Sequence, residues 1–218
     1  MTYILHAGPN DAAQRLILAH GAGAGVNSPF ITDMSSLLAA RGIGLTLFEF
    51  AYMAGRRTGG PRSPPPKTDV LAGEYMGVVK SVSANLQPGQ NLTIGGKSLG
   101  GRVASLIAEE AYKAGKISGM ICLGYPFHPP GKPENLRTAH LASITCPSLI
   151  LQGHRDPFGT RAEVEAFELP AAIQLHWLND GDHDFGPRGE SGFTRKENLN
   201  SAADAIVAFL KRLKPPSD

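Results

Sequence analysis

The chain has 218 residues, enough for one large domain or two small ones, and its 42% apolar and 18% charged content is that of a globular rather than a disordered protein. A net charge of +2 with no long basic run gives no nucleic-acid footprint, and no apolar stretch approaches the ~20 residues of a membrane span. The first residues lack the basic and long apolar regions of a signal peptide, and Cys122 and Cys146 each sit in or beside an apolar run, so a cytoplasmic protein with core thiols is expected.

Arg15 to His20 reads as a buried strand, followed by the loop Gly21-Ala22-Gly23-Ala24-Gly25. From Pro29 to Ala40 the apolar residues Phe30, Ile31, Met34, Leu37 and Leu38 recur at helical spacing, and Arg41-Gly42 ends that helix. Ile43 to Phe50 is the next strand. Residues 55–68 (GRRTGGPRSPPPKT) could pass for a linker, but the first 54 residues hold too few elements for an independent core. The segment is therefore expected to be a long surface loop, with a wall of the active site as its alternative. Its Arg56, Arg57, Arg62 and Lys67 would be solvated or would recruit an anionic substrate or a partner. Asp69 to Leu86 is helical in pattern, Leu92 to Gly96 a strand, and Leu99 to Tyr112 a helix. Ile117 to Leu123, Ser148 to Gln152 and Ile173 to Leu178 are further strands, and a last helix runs from about Lys196 to Leu213.

Short, continuously apolar strands alternating with amphipathic helices predict an α/β fold in which a mostly parallel sheet is covered on both faces. One domain over residues 1–218 is expected, with no internal repeat. Ligands of such sheets bind at the carboxyl ends of strands, so the loops after Ala19, Gly96, Gln152 and Leu178 are where chemistry should lie.

Gly96-Lys97-Ser98-Leu99-Gly100 has the G-x-S-x-G spacing of a nucleophile elbow, a serine on a sharp strand-to-helix turn. By composition alone it would arise about 0.2 times in such a chain, so its context decides. Glycines at minus two and plus two are needed where the tight turn presses strand against helix. Ser98 at a helix start also feels the positive end of the helix dipole. An elbow serine needs a base, and the base an orienting acid, in the chain order Ser, Asp or Glu, His. Asp156 follows the strand ending at Gln152, and His183 follows the strand ending at Leu178. Ser98, Asp156 and His183 thus occupy the required slots in the required order. The Leu99 N–H would supply one oxyanion donor, and Ala22 the other, with Gly23 as its nearest alternative.

These residues resemble those of the α/β-hydrolases near the dienelactone-hydrolase-like enzymes. More closely they resemble the small group that includes testis-expressed and NSL-complex-subunit proteins and bacterial homologues. The resemblance is carried by His20-Gly21-Ala22-Gly23, by Gly96 to Arg102, by Tyr125-Pro126-Phe127-His128-Pro129-Pro130-Gly131-Lys132, by Gln152 to Gly159 and by Gly181-Asp182-His183-Asp184-Phe185. It implies an eight-stranded pattern reduced to its core, with the same triad. It implies no defined substrate, and its link to complex subunits keeps a non-catalytic binding scaffold as the alternative, beside a serine peptidase.

Other chemistries fit less well. His176 lies in an apolar strand and reads as structural, His20 as a brace of the oxyanion loop, and His128 and His154 as possible substrate contacts. Asp180, Asp182, His183 and Asp184 lack the spacing of a metal site. Asn91 stands where a phosphate-binding loop needs glycine, and Val26 and Ser28 break the dinucleotide fingerprint. Lys97 is expected to turn away from the site and pair with a carboxylate or carbonyl. Its sharper alternative is binding an anionic substrate.

The expected activity is hydrolysis of a small ester or thioester through an acyl-enzyme, with no metal or organic cofactor called for, no nucleic-acid or membrane partner, and no defined oligomeric state. Only about 20 residues separate Gly124 from Thr145, where larger relatives insert a lid, so an open, shallow site is expected. Tyr52, Met53, Phe127, His128, Phe158 and Phe185 are its candidate substrate-contacting residues.

Overall fold

Seven strands form one sheet in the computed structural model, which describes residues 2–214; residue 1 and residues 215–218, the ends of the expected domain, lie outside the described residues. In chain order the strands are β1 (Tyr3–Ala7), β2 (Gln14–Ala19), β3 (Gly44–Glu49), β4 (Asn91–Lys97), β5 (Gly119–Leu123), β6 (Ser148–Gly153) and β7 (Ile173–Leu178). Their order in space is β1-β3-β2-β4-β5-β6-β7, with β1 antiparallel to β3 and every other pair parallel. Six helices accompany them: α1 (Pro29–Ala39), α2 (Ala51–Arg57), α3 (Thr68–Ser83), α4 (Leu99–Lys113), α5 (Arg161–Val164) and α6 (Arg195–Arg212).

The side-chain period of two within a strand explains the unbroken apolar runs. Leu16 and Leu18 of β2 join the core under α1 and α6, while Ile17 and Ala19 join the core under α3 and α4. Both faces are covered, so strand residues on either are mostly apolar, and polar ones such as Ser148 and Gln152 are buried with hydrogen-bond partners. Truncating Leu18, fully buried, to alanine is the kind of change that costs about 2–5 kcal/mol. The start of α6 is set by a capping box: Glu197 N donates to Thr194 Oγ1 (3.1 Å) and Thr194 N donates to Glu197 Oε2 (2.8 Å).

Three of these elements escape the sequence pattern: β1, α2 and the single turn α5, which a Thr160–Glu163 capping box opens. The edge strand β1 is short and half exposed, turning Tyr3, Leu5 and Ala7 inward and Ile4 and His6 outward. Helix α2 takes the first residues of the expected 55–68 loop. Ala51 N donates to Glu74 Oε2 of α3 (2.8 Å), a long-range cap that no local pattern reveals. Between β5 and β6 there is only a 3₁₀ turn (Ala139–Ser143), so no lid is inserted. Among the described residues no helix is long and apolar enough to cross a membrane.

Candidate active site

Ser98 joins β4 to α4 with φ 50° and ψ −110°, a conformation L-residues seldom adopt and one that the surrounding bonds must hold. Ser98 N donates to Leu123 O (2.9 Å) and Arg102 N donates back to Ser98 O (2.9 Å). The flanking glycines are required sterically. A Cβ on Gly96 would lie 2.6 Å from the Gly100 carbonyl carbon, and one on Gly100 would lie 2.6 Å from the carbonyl oxygens of Ala19 and His20.

Asp156 is fully buried at the turn after β6. Its Oδ2 lies 2.8 Å from His183 Nδ1, and its Oδ1 accepts from Phe158 N (2.9 Å). The carboxylate fixes the tautomer: Nδ1 carries the proton and Nε2 is left with a lone pair. The loop bearing His183 is tied down from three sides. Asn198 of α6, itself buried, donates to Asn179 O (2.9 Å) and Phe185 O (2.8 Å). Arg155 Nε donates to Asp180 O (2.9 Å). Lys97 Nζ, buried, donates to the backbone oxygen of His183 (2.8 Å) and pairs with Asp184 Oδ1 (3.1 Å). Burial pushes the Lys97 amine below its ordinary value, against the pull of Asp184.

The Gly21–Gly25 loop faces Ser98; a Cβ on Gly21 would stand 3.9 Å from Ser98 Cβ. His20, buried under this loop, donates from Nδ1 to Gly21 O and accepts Phe50 N–H at Nε2 (3.2 Å), and burial lowers its pKa, keeping it neutral. Val26 N donates to Glu49 Oε1 (3.0 Å). Burial opposes the charge of Glu49, but hydrogen bonds from Arg57 and Val26 outweigh it and hold the carboxyl below its ordinary range. The N–H groups of Ala22 and Leu99 make no hydrogen bond among the described residues, and α4 turns its positive end toward Ser98.

These groups border a cavity of about 460 Å³, within the range of small-molecule sites. Ser98, His183, Ala22 and Phe158 line it, together with Phe30 and Lys97. The Phe158 ring lies 4.4 Å from the His183 ring. No hydrogen bond joins Ser98 to His183, a looseness common before a substrate is bound. A larger hollow of about 530 Å³ opens at the opposite end of the strands, lined by Ser118, Pro147 and Arg212; it holds no nucleophile beside a base.

Several expected contacts fall elsewhere. Tyr52 does not line the cavity; its hydroxyl donates to Ala22 O (3.0 Å) from behind, and burial pushes its pKa up to about 12. Met53 is buried beside Gly25. Phe127 is fully buried against Tyr125 (4.9 Å), because the chain leaving β5 turns down over α4 rather than across the strand ends. His128 is buried with it, Nδ1 on Pro129 O (2.9 Å) and Nε2 3.5 Å from Glu163. Phe185 is fully buried against Phe30 (5.1 Å) on the other face. His154 lies against Trp177, at 6.1 Å between rings.

Lys97 pairs as expected, but it lines the cavity rather than leaving it. Of the basic loop, Arg57 is spent on Glu49 and Arg56 on Ser63 O (2.6 Å). Each acid around His183 also has an occupation: Asp180 holds Arg188 (2.6 Å), Asp182 accepts from Asp184 N (2.9 Å) and Gly186 N (2.8 Å), and Asp184 holds Lys97. Among the described residues no three His, Cys, Asp or Glu side chains are placed to hold a metal ion. Phe30 and Arg195 of the cavity wall are not foreseen, and Asp184 is signalled only by its place beside His183; for Phe30 the local signal is that α1 begins soon after the glycine loop.

Residues 12–211 match the model of a family described as alpha/beta hydrolase domain. Among solved structures, the chain is similar to a dienelactone hydrolase from Anabaena variabilis ATCC 29413, with TM-score 0.71, 21% identity, and 97% of this chain and 92% of that chain covered. It is also similar to Est1E from Butyrivibrio proteoclasticus, with TM-score 0.71, 13% identity and coverage of 97% and 95%. A third is an α/β serine hydrolase without lid from Xanthomonas campestris, with TM-score 0.63, 18% identity and coverage of 100% and 90%. At these identities the similarity speaks for the fold.

Proposed function

The chain belongs to the alpha/beta hydrolase domain family, and we propose that it is a serine hydrolase cleaving a small ester or thioester through an acyl-enzyme. The observation that carries this reading is the 2.8 Å contact of His183 Nδ1 with a fully buried Asp156, which leaves Nε2 basic on the cavity that Ser98 lines.

His183 Nε2 takes the Ser98 proton as Oγ attacks the substrate carbonyl. Asp156 keeps the imidazole in that tautomer and offsets the charge it gains. The N–H groups of Ala22 and Leu99 receive the oxyanion, each worth about 3–4 kcal/mol of transition-state stabilisation. His183 then returns the proton to the leaving oxygen or sulfur, and water repeats the sequence on the acyl-enzyme. Lys97 acts as a positioning residue: it stands next to Ser98 in the chain and clamps the backbone of His183, so one side chain ties nucleophile to base. The absence of a lid, the modest cavity and a fold neighbour that is a dienelactone hydrolase favour short substrates.

A panel of short p-nitrophenyl esters, thioesters and aminoacyl amides tests the reading. Turnover of esters or thioesters that Ser98→Ala abolishes supports it. Turnover of amides alone would make the chain a peptidase, and no turnover by folded wild type would leave it a binding scaffold.

A further inference from the structure

The loop that carries Ala22 has almost no backbone support of its own. Among the described residues, the one backbone–backbone bond made between Gly21 and Gly25 is Ser28 N donating to Gly25 O (3.1 Å). Ala22, Gly23 and Ala24 are exposed, and a Cβ on Gly23 would meet nothing within 4 Å. Peptide groups in so bare a segment turn freely unless side chains hold them. The holds come from the residues that follow β3. Strands β2 and β3 run parallel with Ala19 beside Phe48, so the chain leaving β3 passes next to the loop leaving β2. Phe50 N donates to His20 Nε2 (3.2 Å), which leaves the ring proton on Nδ1, and Nδ1 donates to Gly21 O. Tyr52 Oη donates to Ala22 O (3.0 Å). Glu49 Oε1 accepts from Val26 N (3.0 Å) at the far end of the loop.

A trans peptide carries its C=O and N–H on opposite sides, and no peptide bond among the described residues is cis. A hold on Gly21 O therefore aims the N–H of Ala22, and a hold on Ala22 O aims the N–H of Gly23. Ala22 and Gly23 line the cavity, whereas His20 and Tyr52 do not. Both carbonyls are thus drawn away from the cavity, which turns the N–H groups toward it. The Tyr52 ring is itself clasped. It stacks on Phe50 with 6.5 Å between ring centroids, lies 5.7 Å from the His20 ring and is covered by the Arg56 guanidinium at 5.5 Å. Arg56 is tied in turn to Ser63 O (2.6 Å). These contacts fix the ring without its hydroxyl, whose one hydrogen bond is the bond to Ala22 O.

We infer, on the serine-hydrolase reading, that Tyr52 is a positioning residue: with His20 it fixes the two peptide groups that flank Ala22 and so aims the donors that receive the oxyanion. Tyr52 touches neither the substrate nor Ser98 in this role. Its effect belongs to the transition state, because the N–H bonds strengthen only as the carbonyl oxygen gains charge. Loss of the hydroxyl therefore falls on kcat and spares KM.

Tyr52→Phe keeps the ring and removes only the hydroxyl. On the best short ester of the panel its kcat should fall about 10–50-fold with KM within about twofold of wild type, since misplacing a catalytic group by an ångström costs up to about 10²-fold. Two inhibitors separate aiming from mere structure. A trifluoromethyl ketone forms a tetrahedral adduct: Ser98 Oγ bonds the carbonyl carbon, the Ser98 proton passes to His183, and the carbonyl electron pair becomes the oxyanion. Its affinity should weaken in Tyr52→Phe by about the factor lost in kcat/KM. The alcohol of the same skeleton forms no oxyanion and should bind both proteins equally. Tyr112→Phe, at the hollow beyond the opposite strand ends, should match wild type in every assay. A kcat of Tyr52→Phe within about twofold of wild type overturns the role of Tyr52 and leaves the hydrolase reading standing, as does a loss confined to KM or shared equally by both inhibitors. A folded wild type that turns over no ester and binds no trifluoromethyl ketone overturns the hydrolase reading and the role of Tyr52 with it, so the two failures are told apart.

Discussion

Two cations flank Ser98, and the fold treats them in opposite ways. Lys97, at the end of β4, is buried and met: His183 O at 2.8 Å, Asp184 at 3.1 Å, and the Phe30 ring 5.1 Å below. Arg102, one turn into α4, is partly buried and unmet among the described residues. Further along the same helix a charge is met in full, for Glu109 accepts from Thr145 N (2.7 Å), Thr145 Oγ1 (2.7 Å) and Cys146 N (3.1 Å) and pairs with Lys113 (3.0 Å). A buried charge that is met holds two segments together. The Lys97 flank is therefore machinery of the proposed reaction, whereas Arg102 serves the elbow through its backbone, its N–H donating to Ser98 O.

Breaking the met flank should hurt chemistry, and most of all at the base. Asp156→Asn should lower kcat on a short ester by about 10⁴-fold with the fold retained, since the wrong tautomer of His183 becomes available; a loss under tenfold, measured by steady-state kinetics, would detach Asp156 from the mechanism. Lys97→Met should lower kcat by about 10–100-fold with KM little changed, because the clamp sets the position of the base rather than substrate affinity. Lys97→Arg should restore part of it. An effect on KM alone would make Lys97 a substrate contact instead.

The smallest effect sharpens the contrast along α4. The bonds to Glu109 prevail over its burial and depress its pKa from 4.5 to about 2. A depressed carboxylate stabilises the fold above its unfolded value and loses that contribution as pH falls through the folded one. Glu109→Gln should therefore cost about 1–3 kcal/mol near neutral pH, a difference that shrinks between pH 4.5 and 2 in denaturant titrations. A pH-independent difference would show that packing, not charge, is what Glu109 supplies.

How much of this is legible in the chain depends on range. Ser98, Asp156 and His183 each follow an apolar strand of their own, so strand ends alone place them at the carboxyl end of the sheet. The glycines at 96 and 100 are readable because the turn admits no Cβ there. Element β1 is hidden by its half-exposed edge position, and α2 by a cap from Glu74, 23 residues away. The cavity wall is largely illegible. Phe127 and Phe185 are apolar residues near the site in sequence, but pattern cannot say whether a chain leaving a strand runs across the strand ends or down a helix. Lys97 is visible as an oddity beside the serine, yet its partners come from the loop after β7.

The central claim is that Ser98 is an activated nucleophile, and a fluorophosphonate probe reads that directly. Folded wild type should be labelled stoichiometrically, with the adduct on the peptide carrying Ser98. Ser98→Ala should take none, and Lys97→Met should label more slowly than wild type. A folded wild type that forms no adduct, or one whose adduct persists in Ser98→Ala, would contradict the account.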